Sequence, residues 1–192
     1  MDLQAGDALL IADVQNDFLP GGALGVLHGD EIVPILNRYA EAFYSRGLPV
    51  FASRDWHPPN HCSFREQGGI WPIHCVRGSR GAEFHSDFHL PPSVIVISKA
   101  TDPRKEAYSA FEGTDLNERL RAAGVRRLFI GGLATDYCVL NTVRDALARG
   151  YDVCLLKDGI RAVNLQPDDG RKAEDKMVRL GAVPIRYESL PA

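Results

Sequence analysis

The chain has 192 residues, 45% of them hydrophobic, and a formal net charge of −3. That length suits one domain with a substantial core, residues 1–192, and the charge gives neither a nucleic-acid footprint nor a charged tail. No apolar run approaches membrane-spanning length, the opening Met1-Asp2-Leu3-Gln4-Ala5-Gly6-Asp7 lacks a signal peptide's basic and apolar regions, and four scattered cysteines without a Cys-x-x-Cys pair point to reduced thiols in a cytoplasmic setting.

The first strand is predicted at Ala8-Leu9-Leu10-Ile11-Ala12, and Asp13 ends it. A helical pattern runs from Glu31 to Ser45 and is closed by Gly47. Leu48-Pro49-Val50-Phe51-Ala52 is the second strand, followed by Asp55 and His57. Arg54 to Pro92 is then a long irregular stretch rich in Pro, Gly and His, and a loop of that length inside a compact domain is usually functional or disordered. Val94-Ile95-Val96-Ile97 is the third strand, ending near Lys99. Thr114 to Ala123 is a helix closed by Gly124, and Leu128-Phe129-Ile130 is the fourth strand. Asp136 to Arg149 is a helix ending at Gly150, with Cys138 near its start. Val153-Cys154-Leu155-Leu156, a helix from Asp168 to Leu180, and Ala182-Val183-Pro184-Ile185 complete the series.

The strands are continuous apolar runs, as expected when both faces of a sheet are covered. Their alternation with helices predicts a doubly wound, three-layer α/β/α domain around a mainly parallel six-stranded sheet. In such sheets ligands bind beyond the carboxyl ends of the strands. Asp13, Asp55, His57, Lys99 and Cys138 all fall at that edge.

Cysteine, lysine and aspartate suit one kind of chemistry. A helix start and a nearby ammonium favour the thiolate nucleophile, and a carboxylate can take the thiol proton and return it to a leaving amine. Backbone N–H groups of the turn before Cys138 can form an oxyanion hole. Together these fit acyl transfer from an amide, although a small buried core residue is the commoner fate of a cysteine. Asp55-Trp56-His57 with the later His74 offers a mixed carboxylate and imidazole site for Zn²⁺, Fe²⁺ or Mn²⁺. Histidines in a Pro-rich loop also serve simply as hydrogen-bonding residues. Cys62 and Cys75 lie nearby; either offers a thiolate ligand, and the commoner reading of both is structural. His28, His85 and His89 read as surface or structural.

These motifs resemble the nicotinamidase branch of the isochorismatase-like cysteine hydrolases. The resemblance covers most of the chain. It rests on Asp13-Val14-Gln15-Asn16-Asp17-Phe18, Asp55-Trp56-His57-Pro58-Pro59-Asn60-His61-Cys62-Ser63-Phe64 and Trp71-Pro72-Ile73-His74-Cys75. It continues in Lys99-Ala100-Thr101-Asp102-Pro103, Tyr108-Ser109-Ala110-Phe111 and Gly131-Gly132-Leu133-Ala134-Thr135-Asp136-Tyr137-Cys138. The order Asp, Lys, Cys is shared across the superfamily, whereas the Asp-Trp-His loop and the later His are specific to nicotinamidases.

The resemblance implies that Cys138 attacks the carboxamide of nicotinamide, that Asp13 shuttles the proton and that Lys99 stabilises the thiolate. It implies an oxyanion hole from the N–H groups of Ala134 and Cys138, after a cis Leu133–Ala134 bond. One divalent metal ion, Zn²⁺ before Fe²⁺ or Mn²⁺, would be held by Asp55, His57 and His74, with His61 as a fourth candidate. Phe18 and Trp71 would sandwich the ring, with Tyr108, Ala134 and Tyr137 beside it. The expected reaction is nicotinamide to nicotinate and ammonia through a thioester, with pyrazinamide as a second substrate. The alternative is another superfamily hydrolase acting on a different small amide or a vinyl ether. A homo-oligomer is compatible with either reading.

Overall fold

The computed structural model describes residues 2–190. Six strands form one sheet: β1 (Asp7–Ala12), β2 (Val50–Asp55), β3 (Ile95–Lys99), β4 (Arg127–Leu133), β5 (Asp152–Arg161) and β6 (Val183–Ile185). Their order is β3-β2-β1-β4-β5-β6. Every neighbouring pair is parallel, so the sheet is wholly rather than mainly parallel.

Successive residues of β1 point to opposite faces. Leu9 and Ile11 join the apolar layer that buries Leu36, Tyr39 and Phe43 of α1 (Val33–Tyr44). Ala8, Leu10 and Ala12 join the layer on the other face. That layer buries Leu116 and Leu120 of α2 (Leu116–Ala122), Val143 and Ala146 of α3 (Leu140–Ala148) and Met177 of α4 (Asp169–Leu180). Both faces are covered, which explains the unbroken apolar runs. Among the described residues, no helix is long and apolar enough to cross a membrane.

The helices begin later than their patterns suggest. Residues Gly29–Ile32 form a 3₁₀ turn, and α1 starts at Val33 with Pro34 in its first turn. Proline lacks an N–H, and the first helical turn is where none is needed. The segment after β4 differs most. Thr135–Val139 form a wide π turn, and α3 starts only at Leu140.

The connection after β2 is ordered. Its turns are tied down by side chains from β1's exit and from α1: Gln15 donates to the Ala82 carbonyl, Asn16 to the Arg80 carbonyl, and Asn37 to the Asp87 carbonyl. Asp55, expected just beyond β2, is its last residue and pairs in register with Lys99.

Gly132 lies against β1 where the two reactive edges meet. It has φ +114, and a Cβ there would collide with the Ala12 backbone. Gly132→Ala is therefore expected to cost roughly 3 kcal/mol of stability, from strain and overpacking together. Urea unfolding measures this, and an unchanged midpoint would show that the strands can part without loss.

Candidate active site

The chain runs outward from β1 through β2 to β3 on one side and then crosses to β4 on the other side of β1. Such a switch point opens a crevice at the carboxyl edge. Asp13 follows β1, Lys99 ends β3, and Cys138 sits in the turn after β4. Lys99 reaches across β2 to meet the others.

All three side chains are buried. The Lys99 ammonium lies 3.1 Å from Asp13 Oδ2 and 3.6 Å from Cys138 Sγ. It also donates to Asp55 Oδ1 and, at 3.1 Å, to the Ala107 carbonyl. Ser53 Oγ donates to Asp13 Oδ1 at 2.7 Å, while Asp13 Oδ2 accepts no hydrogen bond. Burial works against charge on Lys99, but Asp13 and Asp55 outweigh it and hold the ammonium well above its ordinary range. Burial pushes the Asp13 carboxyl up, against the pull of Lys99. The Cys138 thiol is pushed well up by burial; Lys99 opposes this and the two carboxylates reinforce it.

The sequence expectation of a thiolate favoured by a helix start needs revision here. Cys138 lies inside the π turn, enclosed with two carboxylates, so the resting sulfur is a thiol. A base must take its proton, and Asp13 is the carboxylate that pairs with both the thiol and the Lys99 ammonium.

Asp55, His57 and His74 form a second buried cluster whose potential ligand atoms lie within 4.8 Å of one another. His57 Nε2 is 3.5 Å from Asp55 Oδ2, and both of its ring nitrogens are buried without a hydrogen-bond partner. Burying a polar nitrogen unpaired is costly, which is what an imidazole built to bind a cation looks like without one. His74 Nδ1 is 2.8 Å from the Pro72 carbonyl. That contact assigns the proton to Nδ1 and leaves Nε2 with its lone pair, the usual arrangement behind a metal-bound imidazole. Burial lowers the His74 pKa to about 4, so the ring is neutral at neutral pH. The donor set fits a divalent ion such as Zn²⁺. A further group, Asp13 with Asp55 and Cys138, is also close enough to hold a cation, but the Lys99 ammonium already sits among those three.

His61, the fourth candidate, is not among the grouped donors. Its ring packs 4.2 Å from that of His57, but Nδ1 contacts Ser63 Oγ at 2.7 Å and Nε2 contacts the Lys105 carbonyl at 3.0 Å. Both nitrogens have partners, and the ring packs on His57.

One small cavity joins the two clusters. Phe18, Trp71, Tyr108, Ala134 and Tyr137 all line it, together with Cys138, Asp55, His57 and His74. Trp71 Nε1 donates to the Tyr108 hydroxyl at 3.0 Å, and the Trp71 ring meets Tyr137 edge-on at 5.0 Å. Phe18 packs 5.6 Å from the His74 ring. The cavity's close aromatic walls offer faces and edges to one flat ring. Leu24, Glu106 and Val163 also line it; none was expected there, because each is placed by loop packing. A wider surface groove, bordered by Asp30, Arg80, His85 and His89, holds none of the buried reactive groups. His28 is on the surface, 3.2 Å from Glu31. The Leu133–Ala134 peptide is cis, as the resemblance implies.

A family model described as the isochorismatase domain matches residues 7–189. The chain belongs to the isochorismatase family. Within this isochorismatase family its similarity is to the nicotinamidase branch. It is 43% identical to the nicotinamidase of Escherichia coli, over 91% of this chain and 92% of that protein. Among solved structures it is similar to Pyrococcus horikoshii pyrazinamidase in complex with zinc, with a TM-score of 0.91 and 48% identity, covering 95% of this chain and 99% of that one. It is also similar to an L. infantum enzyme in complex with nicotinate, with a TM-score of 0.89 and 36% identity, covering 98% and 96% of the two chains.

Proposed function

We propose that this protein is a metal-dependent cysteine amidohydrolase that converts nicotinamide to nicotinate and ammonia, and that also deamidates pyrazinamide. The observation that carries the reading is one small aromatic-walled cavity shared by a buried Cys138–Asp13–Lys99 cluster and an Asp55–His57–His74 donor set. The nicotinamidase and pyrazinamidase similarities support it.

Phe18 and Trp71 hold the flat ring on its faces, and Tyr108 and Tyr137 close the edge, which excludes water. Asp13 Oδ2 takes the thiol proton as Cys138 Sγ attacks the carboxamide carbon. Lys99, fixed by Asp13, Asp55 and the Ala107 carbonyl, stabilises the sulfur as it gains charge. The N–H groups of Ala134 and Cys138 bind the oxyanion. When the C–N bond breaks, Asp13 returns the proton to the departing nitrogen and ammonia leaves. Water then attacks the thioester with Asp13 as base; nicotinate departs and the thiol reforms. A divalent ion held by Asp55, His57 and His74, for which Zn²⁺ fits best, supplies a Lewis-acid anchor for the ring nitrogen when bound.

The test is ammonia release from nicotinamide by the purified protein. No release from nicotinamide, with release from another small amide, would overturn the substrate. A strong chelator should abolish activity and Zn²⁺ should restore it. His74→Ala should weaken Zn²⁺ binding by more than the roughly 10- to 100-fold typical of losing an outer-shell partner, and raise KM. Unchanged metal content and KM would place the metal elsewhere.

A further inference from the structure

The segment Gln15-Asn16-Asp17 directly follows Asp13 and Val14, yet no chemistry described above uses its side chains. Each of them ties a different segment around the cavity. Asn16 Nδ2 donates to the Arg80 carbonyl at 2.8 Å. Asp17 Oδ2 accepts from the Cys75 N–H at 2.7 Å. Gln15 is fully buried and makes three bonds: Nε2 donates to the Asp55 carbonyl at 2.8 Å and to the Ala82 carbonyl at 2.9 Å, and Oε1 accepts from the Asp55 N–H at 2.7 Å.

The two bonds to Asp55 have a specific cause. β2 pairs with β1 up to Ser53, opposite Ala12. Asp13 then takes φ +51 and the chain turns away after donating its N–H to the Ser53 carbonyl at 3.1 Å. Along a parallel strand, alternate residues bond to alternate neighbours. The next β2 residue facing β1 is Asp55, whose N–H and C=O would be left unpaired in a buried place. The Gln15 carboxamide has the same donor and acceptor pair as a peptide group, and it fills the place of the missing strand. It fixes both backbone polar atoms of the residue whose two carboxylate oxygens face Lys99 and His57.

We propose that Gln15 is a positioning residue for the metal site. It acts through Asp55, holding the carboxylate where one oxygen engages Lys99 and the other faces the histidines. The inference rests on the metal-dependent reading above and names a residue that supports that site.

The test uses Gln15→Met, which keeps the bulk and removes the carboxamide, and Gln15→Asn, which keeps the carboxamide one methylene out of reach. Asn16→Ser, which releases only the Arg80 turn, is the control. Zn²⁺ affinity is measured on each purified protein by competition with a chromophoric chelator, and the metal-free proteins are melted in parallel. Gln15→Met should bind Zn²⁺ roughly 10- to 100-fold more weakly, the usual effect of losing an outer-shell partner. Gln15→Asn should shift the same way by at least about threefold, and Asn16→Ser should stay within about twofold. Wild-type affinity in a folded Gln15→Met protein overturns the proposal. So does a loss in Asn16→Ser as large as in Gln15→Met, or failure of both Gln15 variants to fold, since Gln15 would then serve the fold in general. A wild-type protein that binds no Zn²⁺ instead sinks the metal-dependent reading, so the two failures are distinguishable.

Discussion

Cys138→Ala should release ammonia from nicotinamide at least roughly 10⁴-fold more slowly than the wild type, the scale on which enzymes lose activity without their nucleophile. The fold should survive. Cys138 is a small buried side chain beside Ala134 and Val139, and exchanging a thiol for a methyl there removes no network that holds the strands. Removing the sulfur also removes a raised-pKa group whose neutral form was the resting one, so no buried charge is orphaned. Unfolding midpoint and Zn²⁺ content should therefore stay near wild type, while calorimetry still detects nicotinamide binding. Cys138→Ser should be nearly as inactive, because a hydroxyl is harder to deprotonate with the same Asp13. A Cys138→Ala protein that keeps even a tenth of the activity would rule out sulfur as the attacking atom.

Lys99→Met should be the most destabilising change at the site. It leaves Asp13 and Asp55 buried together without their shared cation. Removing one partner of a buried ion pair costs about 3–5 kcal/mol. The dependence on pH has a definite sign. Without Lys99 both carboxyls rise above their unfolded value of about 3.9. A group with a raised folded pKa adds stability below its unfolded value and loses it as pH climbs through the folded value. The deficit of Lys99→Met against wild type should therefore be largest near about pH 7.5 and shrink as pH falls towards about 5. Denaturant titrations at both pH values test this. A deficit that grows on acidification would mean that the two carboxylates find another cation. Activity should be lost at either pH, since Cys138 would then ionise beside two carboxylates with no ammonium to oppose them.

The fold was legible because each strand is an apolar run and each helix closes on a glycine. Asp13, Lys99 and Cys138 were legible because all three sit at strand ends, where chain position alone places a side chain at one edge. What the sequence did not show was set by contacts remote along the chain. His61 sits in the same loop as His57, but Ser63 and the Lys105 carbonyl occupy its nitrogens. Cys138 looked like a helix-start thiolate, yet burial, with two carboxylates beside it, makes it a thiol. Asp55 read as a metal ligand only; that it also grips Lys99 depends on β2 and β3 pairing in register. Gln15 looked like an ordinary polar residue after a strand, because its two partners at Asp55 lie 40 positions away.

In the proposed reaction, bond breaking and metal binding have largely separate structural origins. The side chains proposed to act on the amide come from the exits of β1, β3 and β4, anchored in the sheet. Trp71, His57 and His74 come from the connection between β2 and β3, while Phe18, Tyr108 and Tyr137 of the ring pocket come from the exits of β1, β3 and β4. Exchange of that one connection would replace both imidazole donors and the Trp71 wall of the ring pocket while leaving the central strands untouched. An architecture divided in this way can diversify by loop replacement, with Asp55 the joint at which an incoming loop must fit the old machinery.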